Sequence, residues 1–105
     1  MTTSAMWYVY ILQCQNNRLY TGISTNPQKR FEQHRRGKGA KYTRSNRPEA
    51  LLGFTACPDR SSASQLEYQI KQLSVNEKLM LVNEWRQALT PLANIHAEQS
   101  RLVGK

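Results

Sequence analysis

The segment Trp7 to Cys14, WYVYILQC, carries apolar or aromatic side chains at both alternating sets of positions: Trp7, Val9 and Ile11 on one, Tyr8, Tyr10, Leu12 and Cys14 on the other. A strand presents two such faces only when both are covered, so the fold must bring packed layers to either side of this segment. Gln15, Asn16 and Asn17 follow as turn formers, since Asn tolerates positive φ, and RLYTGI resumes the strand pattern. The two runs read as a β-hairpin. A third strand is expected at ALLGFTAC, residues 50 to 57, closed by Pro58.

Helices fill the intervals. Asn26-Pro27 reads as an N-cap followed by proline at the first helical position, and the polar run after it stays helical until Gly37. Residues 37 to 48, GKGAKYTRSNRP, hold two glycines and a proline and read as a loop. From Ser61 or Ser62 onward, Ala63, Leu66, Ile70 and Leu73 recur at helical spacing. A further helix begins near Val75 and carries Leu79 and Val82, with Trp85 and Leu89 on a helical face. Thr90-Pro91 looks like a new start, and the last residues read as a loose tail. The order strand, strand, helix, strand, helix predicts an α+β fold in which a small sheet is packed by helices. At 105 residues the chain has room for one such domain. It is expected over residues 6–83, with 84–105 as a C-terminal helical extension and tail.

Charge narrows the partner. Fifteen Lys and Arg against seven Asp and Glu leave a formal net charge of +8, which favours a polyanion, nucleic acid before an anionic membrane surface. No apolar run approaches the roughly 20 residues needed to span a bilayer. The opening MTTSAM lacks the charged region and apolar core of a secretory signal. A cytoplasmic protein with no membrane partner and no small-molecule cofactor is therefore expected. Cys14 and Cys57 lie in apolar segments and read as free buried thiols, with a single disulfide as the alternative.

The register of the hairpin decides what Tyr10 and Tyr20 can do together. A two-residue loop, Asn16 and Asn17, sends them to opposite faces; an odd loop, Gln15 to Asn17, pairs Tyr10 with Gly22 and Tyr20 with Leu12. The phenols would then be diagonal neighbours on one face, roughly 5 to 8 Å apart, with Gly22 leaving a notch opposite Tyr10. On residue types alone, two packed core tyrosines are the simpler reading. Phe31 is the only large apolar residue of the next helix and must face the sheet, so Arg30 and His34, one turn apart, flank that buried edge. By themselves they read as a snorkelling arginine and a satisfied surface histidine. Glu67 lies at the flank of its helix's apolar stripe, in line with Lys71. It reads either as half of an exposed i, i+4 ion pair or as a lone carboxylate for a hard divalent cation.

Together these residues resemble the GIY-YIG nucleases. The two half-motifs of that family appear as Tyr8-Val9-Tyr10 and Tyr20-Thr21-Gly22, followed by Arg30, His34 and Glu67 in order, with GAKYTRSNRP similar to the small stand-alone YhbQ-like group. The resemblance implies a three-stranded antiparallel sheet with flanking helices, and it requires both tyrosines on one face. It implies a metal-dependent endonuclease that hydrolyses DNA phosphodiester bonds, directed by structure rather than sequence, with a place in DNA repair or processing. Tyr10 and Tyr20 would be the active-site phenols, Arg30 would neutralise the scissile phosphate, and His34 would assist proton transfer or contact phosphate. Glu67 would hold Mg²⁺ or Mn²⁺. The chain departs from the family pattern at Tyr8, where the first half-motif has glycine, and at Ile23, where some repair members carry lysine. A C-terminal asparagine of some members has two neighbours here, Asn76 and Lys78, and neither is assigned.

Between Lys29 and Arg47 stand eight cations, Lys29, Arg30, Arg35, Arg36, Lys38, Lys41, Arg44 and Arg47, against one acid, Glu32. A charge run is usually a solvated face. Its position after the active-site helix, together with Tyr42, favours a surface that contacts the phosphate backbone of DNA, with RNA as the other polyanion. Nothing in the run specifies base readout. The competing function is a nucleic-acid-binding module that keeps the scaffold without catalysis.

Overall fold

In the computed structural model, which describes residues 6–89, the hairpin turn sets the register of everything that follows. Gln15–Asn17 form a single 3₁₀ turn in which Asn16 and Asn17 take φ of 63° and 58°, the left-handed region that asparagine enters more readily than other side chains. The loop is thus three residues long. It joins β1 (Trp7–Cys14) to β2 (Arg18–Ser24) with Tyr10 opposite Gly22 and Leu12 opposite Tyr20, the odd-loop alternative.

The third strand, β3 (Pro48–Cys57), pairs antiparallel with β1 on its other side, giving a three-stranded sheet in the order β2-β1-β3. The strand that is apolar on both faces is the central one. β3 begins two residues earlier than its hydrophobic pattern suggests, because Gln15 N–H donates to the Arg47 carbonyl at 2.9 Å and draws Pro48 into register with Cys14. Proline is tolerated at a strand's first residue, where its missing N–H breaks no ladder.

Four helices complete the α+β fold. α1 (Pro27–Arg35) starts where Asn26 Oδ1 accepts from Lys29 N–H at 3.1 Å. It ends in a Schellman motif: Gly37 at φ 78°, Lys38 N–H bonded to the Gln33 carbonyl and Gly37 N–H to that of His34. α3 (Arg60–Lys71) opens one to two residues before the expected serines, because Asp59 caps it by accepting from Ser62 N–H at 2.8 Å. A reciprocal capping box between Ser74 and Glu77 starts α4 (Val75–Leu89).

One expectation is corrected. The segment 37–48 is not all loop: Lys41–Ser45 form a short helix, α2. It has no side-chain N-cap and no strong helix former besides Lys41 and Arg44, so its own sequence does not announce it, and packing against α1 makes it. On α4, Val82 is buried and Leu79 is 43% exposed. The helix seats Val82 and Trp85 over Gly53, whose missing side chain leaves the Val82 methyl only 3.2 Å from where a Cβ would stand. α4 runs without a break through residues 83 and 84. The expectations about Thr90-Pro91 and the tail fall outside the described residues.

The sheet separates two cores. On one face Val9 and Ile11 pack with Cys57, Ala63, Ile70, Val82 and Trp85, under α3 and α4. On the other, Tyr10, Leu12 and Cys14 pack with Tyr20, Phe31, Leu51 and Phe54, under α1. Both cysteines are free and buried.

Candidate active site

Because Tyr10 lies opposite Gly22 and Tyr20 sits diagonally beyond, both phenols project from the α1 face, with ring centroids 6.3 Å apart. The expected notch is real and is filled by Tyr10 itself. A Cβ on Gly22 would stand 2.5 Å from the Tyr10 hydroxyl oxygen and 3.0 Å from the Tyr20 ring, so this position needs glycine for close approach.

α1 lays Phe31 against this face and brings His34 beneath it. His34 is not the surface histidine that its neighbours in sequence suggest: it is 1% exposed, with Nε2 at 2.9 Å from Tyr10 Oη and Nδ1 at 2.7 Å from Thr43 Oγ1. Its ring also meets Tyr20 edge-on at 5.1 Å. Gly39 passes so close that a Cβ there would overlap the imidazole at Nδ1. The segment after α1 therefore turns back at Gly37 and clamps the histidine. Thr43 and Gly39 are site residues that sequence reasoning missed; the only trace of them was a second glycine in GKGAKYT.

The electrostatics follow from burial. Desolvation pushes the Tyr10 phenol well above its ordinary value; the Tyr20 and Glu67 charges push the same way, and the charge and hydrogen bond of Arg30 oppose them. Tyr20 is raised by burial and then by Glu67, again against Arg30. Burial, aided by Arg30, pushes His34 down to about 4, so the imidazole is neutral at pH 7. In the resting protein the phenols keep their protons and the histidine holds a lone pair. Arg30, half-buried, also donates from Nη1 to Gln33 Oε1 at 2.9 Å.

Glu67 stands on α3, which packs against β1 and β2, and its charge reaches both phenols. The ion pair anticipated from spacing is present, with Lys71 Nζ 3.3 Å from Glu67 Oε2 and the Glu67 side chain 21% exposed. Among the described residues no three His, Cys, Asp or Glu side chains converge into a metal cage. A lone, partly exposed carboxylate suits a hard cation that keeps most of its own water, as Mg²⁺ does, and not a zinc-type cage. Asn76 and Lys78 occupy the first turn of α4, and no side-chain hydrogen bond among the described residues ties either to the tyrosines.

The basic stretch divides. Arg35, Arg36 and Arg47 line one shallow depression with Glu32 and Pro48, while Lys29 lines another with Phe31 and Leu51. Arg35 also pairs with Glu32 at 3.4 Å and lies over the Phe31 ring. Lys38, Lys41 and Arg44 are exposed around α2, and Tyr42, 37% exposed, stacks on Tyr20 with centroids 5.8 Å apart. The cationic loop thus touches the tyrosine cluster directly. No helix of the described residues is long and apolar enough to cross a membrane.

Comparison with known proteins adds sequence-wide similarity to this geometry. A family model described as the GIY-YIG catalytic domain matches residues 6–80. A UPF0213 protein of Desulfotalea psychrophila is 51% identical over 82 residues, 77% of this chain and 74% of its own length. A UPF0213 protein of Staphylococcus haemolyticus is 44% identical over 80 residues, 76% of this chain and 98% of its own length. The solution NMR structure of the protein EF2693 from E. faecalis is 31% identical with a TM-score of 0.54, over 82% of this chain and 92% of that one.

Proposed function

Because the chain belongs to the GIY-YIG family, and so to a nuclease superfamily, we propose that it is a metal-dependent endonuclease hydrolysing DNA phosphodiester bonds. Its choice of target rests on nucleic-acid structure rather than sequence, which suits DNA repair or processing in the cytoplasm. The observation that carries the reading is the convergence on one sheet face of two phenols, a neutral imidazole bonded to one of them, and the Arg30 charge.

A phosphodiester resists hydrolysis because its own charge repels the nucleophile, so the site must neutralise charge and remove a proton from water. Arg30 meets the first need, placing a guanidinium where negative charge develops on the phosphorus oxygens. The Tyr10–His34 pair meets the second, receiving the attacking water's proton. Tyr20, beside both rings, orients the water or the phosphate. An incoming phosphate also offsets Arg30, one of the two causes of the low His34 pKa, and so makes the imidazole a better proton acceptor as substrate binds. Glu67 would hold Mg²⁺ or Mn²⁺, which supplies Lewis-acid polarisation of the phosphoryl oxygens. Lys38, Lys41, Arg44, Arg35, Arg36 and Arg47 bind the backbone without reading bases, Lys29 extends that surface, and Tyr42 offers a stacking face.

The test is cleavage of single-stranded, nicked, branched and duplex DNA, with an RNA arm, by the parent and by Glu67→Ala, with and without Mg²⁺ or Mn²⁺. Cleavage that needs the metal and falls by about 10²-fold or more in the variant is expected. Absence of cleavage in every arm, or a variant that cuts as well as the parent, overturns the reading. Binding that weakens steeply with salt, ignores Mg²⁺ and survives Tyr20→Phe identifies the non-catalytic binder instead.

A further inference from the structure

We infer that Thr43 is a positioning residue that fixes the tautomer of His34, leaving Nε2 as the atom that accepts the Tyr10 hydroxyl proton. The inference rests on the nuclease reading for its catalytic consequence, but the hydrogen-bond direction follows from geometry alone.

Thr43 Oγ1 has one hydrogen and two short neighbours, the Ala40 carbonyl oxygen at 2.8 Å and His34 Nδ1 at 2.7 Å. A carbonyl has no hydrogen to give, so at 2.8 Å it must accept from the hydroxyl, or two lone-pair-bearing oxygens would face each other. With its hydrogen spent there, Oγ1 can only accept from Nδ1, which must therefore carry the ring proton. The Ala40 N–H also approaches Nδ1, at 3.4 Å, and favours the opposite tautomer. That contact is longer by 0.7 Å than the Thr43 one and is the weaker of the two. A neutral imidazole protonated at Nδ1 bears its lone pair on Nε2, 2.9 Å from Tyr10 Oη. Tyr10 then donates to His34, and its oxygen stays free to accept from Arg30.

The chain Tyr10–His34–Thr43–Ala40 is directed, each hydroxyl or ring nitrogen donating to the next. Its chemical consequence is a relay. As water attacks phosphorus, its proton passes to Tyr10 Oη while the Tyr10 proton passes to His34 Nε2. Tyr10 is never left as a phenolate, which burial would oppose, and the imidazolium donates at both nitrogens. The P–O ester bond breaks, and the departing alkoxide takes a proton from solvent. With the other tautomer, Nε2–H would point at Tyr10 and the relay would be closed. Thr43 lies on α2, between exposed Lys41 and Arg44, so the element that places the histidine is also the one that carries cationic side chains toward the polyanion.

The experiment measures the two side-chain ¹⁵N shifts of His34 at pH 7 in the full chain, for the parent, Thr43→Val and Thr43→Ser, beside metal-dependent cleavage kinetics. The parent is expected to show Nδ1 protonated and Nε2 unprotonated. Thr43→Val should lose that preference and lower kcat by roughly 10- to 100-fold at similar KM, and Thr43→Ser should restore both. A parent protonated at Nε2, or a folded Thr43→Val that keeps the Nδ1–H tautomer, overturns the inference. A parent with the expected shifts that cuts no nucleic acid overturns the nuclease reading and leaves the tautomer assignment standing.

Discussion

The two faces of β1 pack against layers of different chemistry. From β1, Val9 and Ile11 enter a core whose other buried members are Cys57, Ala63, Ile70, Val82 and Trp85, and contact there is mostly dispersion and apolar burial. From the same strand, Tyr10 and its β2 neighbour Tyr20 enter a layer shared with a fully buried histidine and a buried threonine, joined by three hydrogen bonds of 2.7 to 2.9 Å. The first face is tolerant in detail and costly to empty. The second is held by direction: each polar group has its donors and acceptors on fixed sides, and a group left unpaired in a buried site is expensive. Thr21 is the exception on the aliphatic face, its hydroxyl buried without a partner among the described residues. The buried aliphatic packing therefore lies on one side of the sheet and the two phenols with His34 on the other, while Glu67 comes from α3 on the aliphatic side.

The largest expected effect is on the polar face. Tyr10→Phe removes the hydroxyl that bonds His34 and should lower metal-dependent cleavage by about 10²- to 10⁴-fold, while leaving Nε2 unpaired should cost roughly 1–3 kcal/mol in urea unfolding and keep the molecule folded. A fall in stability that matches the fall in activity would erase the distinction between the faces. Ile70→Ala tests the other side: it empties a fully buried position and should cost roughly 2–5 kcal/mol in urea unfolding, with cleavage per folded molecule unchanged. Loss of activity in molecules shown to be folded would mean that the packing of α3 also sets the placement of Glu67.

The smallest effect is set by pH. The unfolded chain binds a proton on His34 near 6.5, whereas the folded chain resists until about 4. As pH falls through that window the unfolded state gains protons that the native state refuses, so stability is fully present above 6.5 and declines toward 4 by on the order of 1–3 kcal/mol. Urea midpoints at several pH values, for the parent and for His34→Gln, read this directly. A parent curve as flat as the variant's would place the imidazole in contact with water.

Much of this was readable from local chemistry. The hairpin, the three strands, α1, α3 and α4 all carry their own signals: alternation, the Asn26-Pro27 start, the Gly37 stop, helical spacing. The shared face of Tyr10 and Tyr20 was one of two registers until the left-handed Asn16 and Asn17 resolved it. Periodicity names the α4 stripe without saying which part of it meets the sheet; Gly53 draws the contact to Val82 and Trp85, and Leu79 stays exposed. α2 and Thr43 were missed because a five-residue helix has no periodicity to detect.

The sequence by itself determined a strand that must be covered on both faces, the turn that reverses it and the caps that bound its helices, since these depend on neighbours a few residues apart. Only the tertiary structure decided the role of His34. Its two partners lie 24 and 9 residues away: Tyr10 meets it where α1 packs on the sheet, and Thr43 because Gly37 reverses the chain and Gly39 lets the backbone lie against the ring. A hydrogen bond between distant residues leaves no local pattern, so it becomes visible only when folding has brought its donor and acceptor within 3 Å.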